Sequence, residues 1–143
     1  MIKFIHGNLF DHLKPNIVIP HVTNNSGTTF HAGFVAELNS RWPYKLGKRS
    51  PQYIYFNEKQ TLGSIQIIEV EPSIKVINMC AQDNINPPYK GTRLVYSALV
   101  ECMKQISGNI HCPMFGSGIA RGHWPTIEKL IHELWSDVTV YKI

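Results

Sequence analysis

At 143 residues, with 43% hydrophobic and 17% charged side chains, the chain has the length and balance of one globular domain able to bury a core without staples. It has no run of about 18 apolar residues, which excludes a membrane-spanning helix, and Cys80, Cys102 and Cys112 are odd in number and widely spaced in apolar runs, which argues for buried thiols over a disulfide or zinc framework. A net charge of +4 favours anionic partners, but Lys and Arg are scattered apart from Lys45, Lys48 and Arg49, so nucleic acid is a minor reading.

The opening residues 1–6 lack the apolar core of a signal peptide and read as a strand at 2–6, ended by Gly7 and Asn8; a cytoplasmic protein is expected. Residues 16–22 form a second strand, apolar on both sides as a central strand covered on two faces should be. A polar loop with two glycines follows, and a helix runs from about 32 to 41, closing before Pro43. A short strand is expected at Tyr53–Phe56. Two more follow at about 62–70 and 74–79, separated by the turn signal of Glu71, Pro72 and Ser73.

Thr92 can cap a helix reaching about Ile106, with Val95, Ala98, Leu99, Cys102, Met103 and Ile106 on one face. A strand at 109–113 empties into a second glycine loop, residues 114–123. A last helix at about 124–135 carries Pro125 in its first turn and turns Ile127, Leu130, Ile131, Leu134 and Trp135 inward. Residues 138–143 close as a strand. Strands alternate with helices, and each glycine-rich loop follows a strand and precedes a helix. This is the pattern of a three-layer α/β/α domain with a central mixed sheet, with both loops opening on one edge.

A loop that leads from a strand into a helix N-terminus offers free backbone N–H groups to an anion. Glycine permits close backbone approach, and Asn24 with Asn25 supplies neutral donors and acceptors suited to sugar hydroxyls. The same residues would also serve a tight turn with Asn in left-handed positions. A ligand carrying two phosphates would fit between the two loops.

Four blocks in order resemble the macrodomain family, the ADP-ribose-recognising fold, and within it the branch that processes ADP-ribose 1''-phosphate in bacteria, phages and yeast. They are Gly7-Asn8-Leu9; His21-Val22-Thr23-Asn24-Asn25 with Ala32-Gly33-Phe34; Ile77-Asn78-Met79-Cys80-Ala81-Gln82; and Pro113-Met114-Phe115-Gly116-Ser117-Gly118-Ile119-Ala120 with Trp124. The resemblance implies ADP-ribose or a 1''-substituted derivative as ligand, with no cofactor, metal or membrane. Asn8, where relatives carry Asp, would accept from the adenine amine, with Leu9 beside it. The Ala32, Gly33 and Phe34 backbone would hold the phosphate nearer the helix, and the loop of Gly116, Ser117, Gly118, Ile119 and Ala120 would wrap the diphosphate. Thr23 and Phe115 would be further ligand contacts, Phe115 or Phe30 as an aromatic wall where either is not core.

Asn24 and Asn25 would then meet the distal ribose, with the choice between them open because the loop is one residue longer than in the most similar branch. His31 stands where many macrodomains have glycine, and resembles the His that viral macrodomains need for hydrolysis. Ala120 occupies the place where one hydrolase branch has a catalytic Asp, which closes that route. The expected reaction is hydrolysis of ADP-ribose 1''-phosphate to ADP-ribose and phosphate. Asn25, with Asn24, would orient the ribose, and His31, the loop residue whose ordinary pKa is near neutrality, would relay the proton. Removal of mono-ADP-ribose from a target, or binding without turnover, are the alternatives.

Overall fold

β-branched and apolar residues dominate the strands, in near-continuous runs in the central ones, and in the computed structural model, which describes residues 1–30, 33–85, 93–118 and 120–142, the strands form one six-stranded mixed sheet. In chain order they are β1 (Ile2–His6), β2 (Ile17–Asn24), β3 (Ile65–Glu71), β4 (Ile74–Gln82), β5 (Ile110–Pro113) and β6 (Val138–Lys142). The spatial order is β1-β6-β5-β2-β4-β3, parallel throughout except for β3, which runs antiparallel to β4 across the turn at Pro72 and Ser73. Helices α1 (Phe34–Arg41), α2 (Pro51–Asn57), α3 (Tyr96–Lys104) and α4 (Trp124–Leu134) cover it, with 3-10 turns at Leu9–His12 and Tyr44–Arg49.

Alternation sorts the core into two layers. Ile17 and Ile19 of β2 join Val76 of β4, Leu38 of α1 and Trp42 on one face. Ile77 and Met79 of β4 join Leu99 and Met103 of α3 and Ile127 and Ile131 of α4 on the other. Cys80, Cys102 and Cys112 are buried free thiols. Burial pushes Cys102 up to about 11, Cys80 to about 12 and Cys112 higher still, which suits inert packing groups.

Strand β3 starts at Ile65 and β4 runs on to Gln82, each three residues later than expected, and two further elements differ more. Tyr53–Phe56 is helical, inside α2. Four β-favouring side chains in a row suggest a strand, but Ser50 Oγ accepts the Tyr53 N–H at 3.1 Å, Pro51 takes the first turn, and Asn78 Nδ2 donates to the Pro51 carbonyl at 3.2 Å. Helix α3 begins at Tyr96, later than expected, because residues 93–95 are held extended: Leu94 bridges Gln82 and the Val95 N–H donates to the Ala81 carbonyl at 2.8 Å. The expected cap, Thr92, lies outside the described residues.

After β2 the chain turns to α1 on one face of the sheet, and after the neighbouring β5 it turns to α4 on the other. Loops that diverge in this way leave a crevice at the carboxyl ends of the two strands.

Candidate functional site

The crevice is a cavity of about 470 Å³, within the range of small-molecule sites. Its floor is the end of β2, from His21 to Asn24. One wall is the first loop, Thr29 and Phe30 with Gly33, Phe34 and Val35; the opposite wall is Pro113 to Gly116 with Gly118 and Ala120. Gln82, Asn84 and Arg93 close the β4 end. Both glycine loops therefore face one space, as their positions after strands imply.

Asn24, only 8% exposed, organises the first loop. Its Nδ2 donates to the Thr29 carbonyl at 3.2 Å and to Thr29 Oγ1 at 3.1 Å, while its Oδ1 accepts from the Ser26 N–H at 2.9 Å, from Ser26 Oγ and from the Tyr55 hydroxyl. The loop reaches α1 through Gly33, whose φ of 64° favours glycine. No side chain caps α1; the Ala36 N–H is taken by the Gly33 carbonyl at 3.1 Å, and among the described residues the N–H groups of Phe34 and Val35 stay open at the cavity wall. Such a helix end attracts anions.

The second loop is closed on itself by the Gly122 N–H donating to the Gly116 carbonyl at 2.7 Å. Gly116 has a φ of 76°. Among the described residues the N–H groups of Gly116, Ser117 and Gly118 make no hydrogen bond, which leaves three successive donors on this loop. Consecutive free amides of this kind form a concavity for an anion.

Beneath the floor runs a buried polar network. His21 Nε2 lies 2.7 Å from Asn78 Oδ1; Asn78 Nδ2 donates to Gln66 Oε1 at 2.9 Å and to the Pro51 carbonyl. Because the Asn78 amide nitrogen is spent there, its oxygen faces the ring, and His21 Nε2 is the protonated nitrogen. Gln66 Nε2 in turn donates to the Glu58 carbonyl at 3.1 Å, and Gln60 Oε1 accepts from Thr23 Oγ1 at 2.8 Å. The network fastens α2 to the sheet with polar groups that are all paired.

Burial holds His21 down to about 4, the Asn78 bond opposing in part. A histidine kept neutral when folded but free to charge when unfolded contributes stability above its ordinary value near 6.5. That contribution is lost as pH falls from about 6.5 towards about 4, to the extent of about 3 kcal/mol. His111, lowered by burial and by Lys14, acts in the same direction. In urea titrations across that interval the wild type should lose stability more steeply than His21→Gln, whose amide can still donate to Asn78. Parallel pH curves would remove His21 as the source.

No family model matches the chain, and no curated protein does. Among solved structures, a protein of unknown function from Bacteroides thetaiotaomicron is 29% identical, with a TM-score of 0.85 over 100% of this chain and 98% of that one. A macrodomain protein from Streptomyces coelicolor is 25% identical, with a TM-score of 0.78 over 100% and 99%. This chain has the macrodomain fold. The DarG macrodomain of Thermus aquaticus shares it at 16% identity, with a TM-score of 0.70 over 100% and 99%.

On the macrodomain frame the expected site residues separate into groups. Thr23, Asn24, Gly33, Phe34, Phe115, Gly116, Gly118 and Ala120 line the cavity. Phe115 also packs edge-on against Trp124 and Trp135, and Phe34 stacks on Phe10 at 5.4 Å. Asn8, Leu9, Asn25 and Ser117 are not among the lining residues. Asn8 Oδ1 caps the turn at Leu9–His12 by accepting from the Phe10 N–H at 2.9 Å, its Nδ2 donates to Glu37 Oε2 at 2.7 Å, and Leu9 is core. Asn25 Nδ2 donates to Asp83 Oδ1 at 3.1 Å and its Oδ1 accepts from the Asn84 N–H at 2.8 Å, tying the end of β2 to the end of β4. Ser117 Oγ donates to the Met114 carbonyl at 2.9 Å. His31, Ala32 and Ile119 lie outside the described residues.

The cavity also contains residues that the sequence does not single out for the site: His21 in the floor, and Gln82, Asn84 and Arg93 at the β4 end. Polar residues at and just beyond the end of a strand that reaches the cavity are the available signal for Gln82, the last residue of β4, and for Asn84. Arg93 carries no such signal, being the third residue before a helix.

Proposed function

We propose that this chain binds ADP-ribose or a 1''-substituted derivative in the cavity and hydrolyses ADP-ribose 1''-phosphate to ADP-ribose and phosphate. The observation that supports the reading most is the pair of open backbone donor sets, the uncapped start of α1 and the amides of Gly116 to Gly118, on facing walls of one space. A diphosphate spanning them would find donors at both ends without a lysine clamp. The neutral polar side chains of Thr23, Asn24, Gln82 and Asn84 suit ribose hydroxyls. If adenine reaches Asn8, that carbonyl must share its bond with the Phe10 N–H, which its second lone pair permits.

In the proposed reaction water adds to phosphorus, the bond from phosphorus to the 1'' oxygen breaks, and a proton ends on that oxygen. His31 is the proposed proton relay, and positioned acid–base help of this kind contributes about 10²–10⁴-fold. Asn25 acts by holding the ends of β2 and β4 together, so it positions the floor that the ribose rests on.

A second reading, binding without turnover, is favoured by one observation: the side chains of Asn24 and Asn25 are already engaged in the framework. Removal of mono-ADP-ribose from a target would use the same cavity with a different group at C1''. A phosphorus NMR time course with ADP-ribose 1''-phosphate separates the readings. Free phosphate that appears with wild type and fails to appear with His31→Ala supports the phosphatase. Shifted diphosphate resonances with an unchanged 1''-phosphate signal would replace it with a binder or a hydrolase for another leaving group.

A further inference from the structure

Arg93 brings a charge into a cavity whose other described lining residues are uncharged, His21 being held neutral at physiological pH. Among the described residues its guanidinium makes no hydrogen bond or ion pair, whereas its backbone is fixed at both ends: its N–H donates to the Ala120 carbonyl at 2.9 Å and its carbonyl accepts from the Asp83 N–H at 3.0 Å. A cation on a rigid backbone, with an uncommitted fork of donors, is suited to bidentate capture of a phosphate or carboxylate. Asp83, whose N–H is bonded to the Arg93 carbonyl, does not line the cavity, and its Oδ1 accepts from Asn25 Nδ2 and from the Ile85 N–H at 3.2 Å.

Position along the cavity narrows the role. The diphosphate donors sit on the α1 and β5 sides; the Arg93 backbone joins the second loop at Ala120 to Asp83 after β4, and the residue closes the cavity at its β4 end with Gln82 and Asn84. That end is tied to Asn25 by the bonds to Asp83 and Asn84, so it lies where the distal ribose is expected. We infer that Arg93 is the receptor for a negatively charged substituent on the distal end of the ligand, so that the site selects a phosphorylated distal ribose over a bare one. This rests on the nucleotide reading above and adds to it the residue that sets substrate class.

The test compares ADP-ribose with ADP-ribose 1''-phosphate by calorimetry, at low temperature to slow any turnover, in wild type, Arg93→Gln and Arg93→Lys. Wild type should prefer the 1''-phosphate by about tenfold or more, the gain of one charge-assisted bidentate contact. Arg93→Gln should abolish that preference while ADP-ribose affinity stays within about threefold, and Arg93→Lys should keep part of it. Equal losses for both ligands would mean that Arg93 holds the diphosphate, and absence of a wild-type preference would also overturn the inference. Wild type binding neither nucleotide would sink the nucleotide reading instead. The Arg93 Nε–H resonance, followed during a titration with inorganic phosphate, then decides separately: a saturable shift upholds an anion receptor at Arg93, and an unmoved resonance overturns it.

Discussion

Gly122→Ala is expected to lower ADP-ribose affinity by about tenfold or more and to cost about 1–3 kcal/mol of stability, the usual range for forcing atoms into a filled space. A Cβ at Gly122 would stand 2.4 Å from the Gly116 carbonyl oxygen and 2.5 Å from Leu94 Cδ2. The first of these atoms is the acceptor that closes the second loop, so the clash falls on backbone that cannot rotate away. Relief requires the loop to open, which moves the amides of Gly116 to Gly118 out of register with a bound diphosphate. Gly118→Ala is the matched control for stability, since a Cβ there meets no protein atom within 4 Å. Calorimetry with ADP-ribose and thermal unfolding of the two variants give the comparison. Equal behaviour would show that loop closure does not govern the anion site.

The second large effect is expected at Asn78, a fully buried residue beneath the floor. Asn78→Leu keeps the volume but removes partners from His21 Nε2, Gln66 Oε1 and the Pro51 carbonyl together. An unpaired buried polar group costs about 1–3 kcal/mol, so a loss of about 3 kcal/mol or more is expected in urea unfolding. The damage should spread to α2 and from it to the first loop, because Tyr55 of α2 donates to Asn24 and accepts from the Gly27 N–H at 3.2 Å. Faster amide exchange in α2 and weakened ADP-ribose binding should accompany the loss. A variant that loses less than about 1 kcal/mol would show that the network is dispensable.

The order of strands and helices was legible because the apolar runs of β2 and β4 and the period-3.6 patterns of α3 and α4 are long. The mixed sheet and the meeting of the two glycine loops followed from where those loops fall, each between a strand and a helix. Helix α2 was not legible: seven residues are too few to display a period, and its aromatic side chains favour a strand until Asn78 and Gln66 engage its backbone. At the site, glycines announce their backbone role in sequence, but amide side chains do not announce their partners. Asn24 and Asn25 look alike beside one another, yet one organises a loop and lines the cavity while the other joins two strand ends. Arg93 was illegible as a cavity residue because the Leu94 bridge that carries it there is a long-range pairing with β4.

The strand β1 has β6 as its sheet neighbour, with Ile2 beside Val138 and His6 beside Lys142. During synthesis β1 therefore waits for β6, the last of the six strands, before it can pair, while β2, β4 and β5, whose ends form the cavity, can assemble earlier among themselves. A nascent chain is thus able to build its binding crevice before its outer edge is sealed. In that interval an anionic nucleotide in the crevice would act as a folding template, favouring the pairing of β2 with its neighbours while β1 is still unpaired.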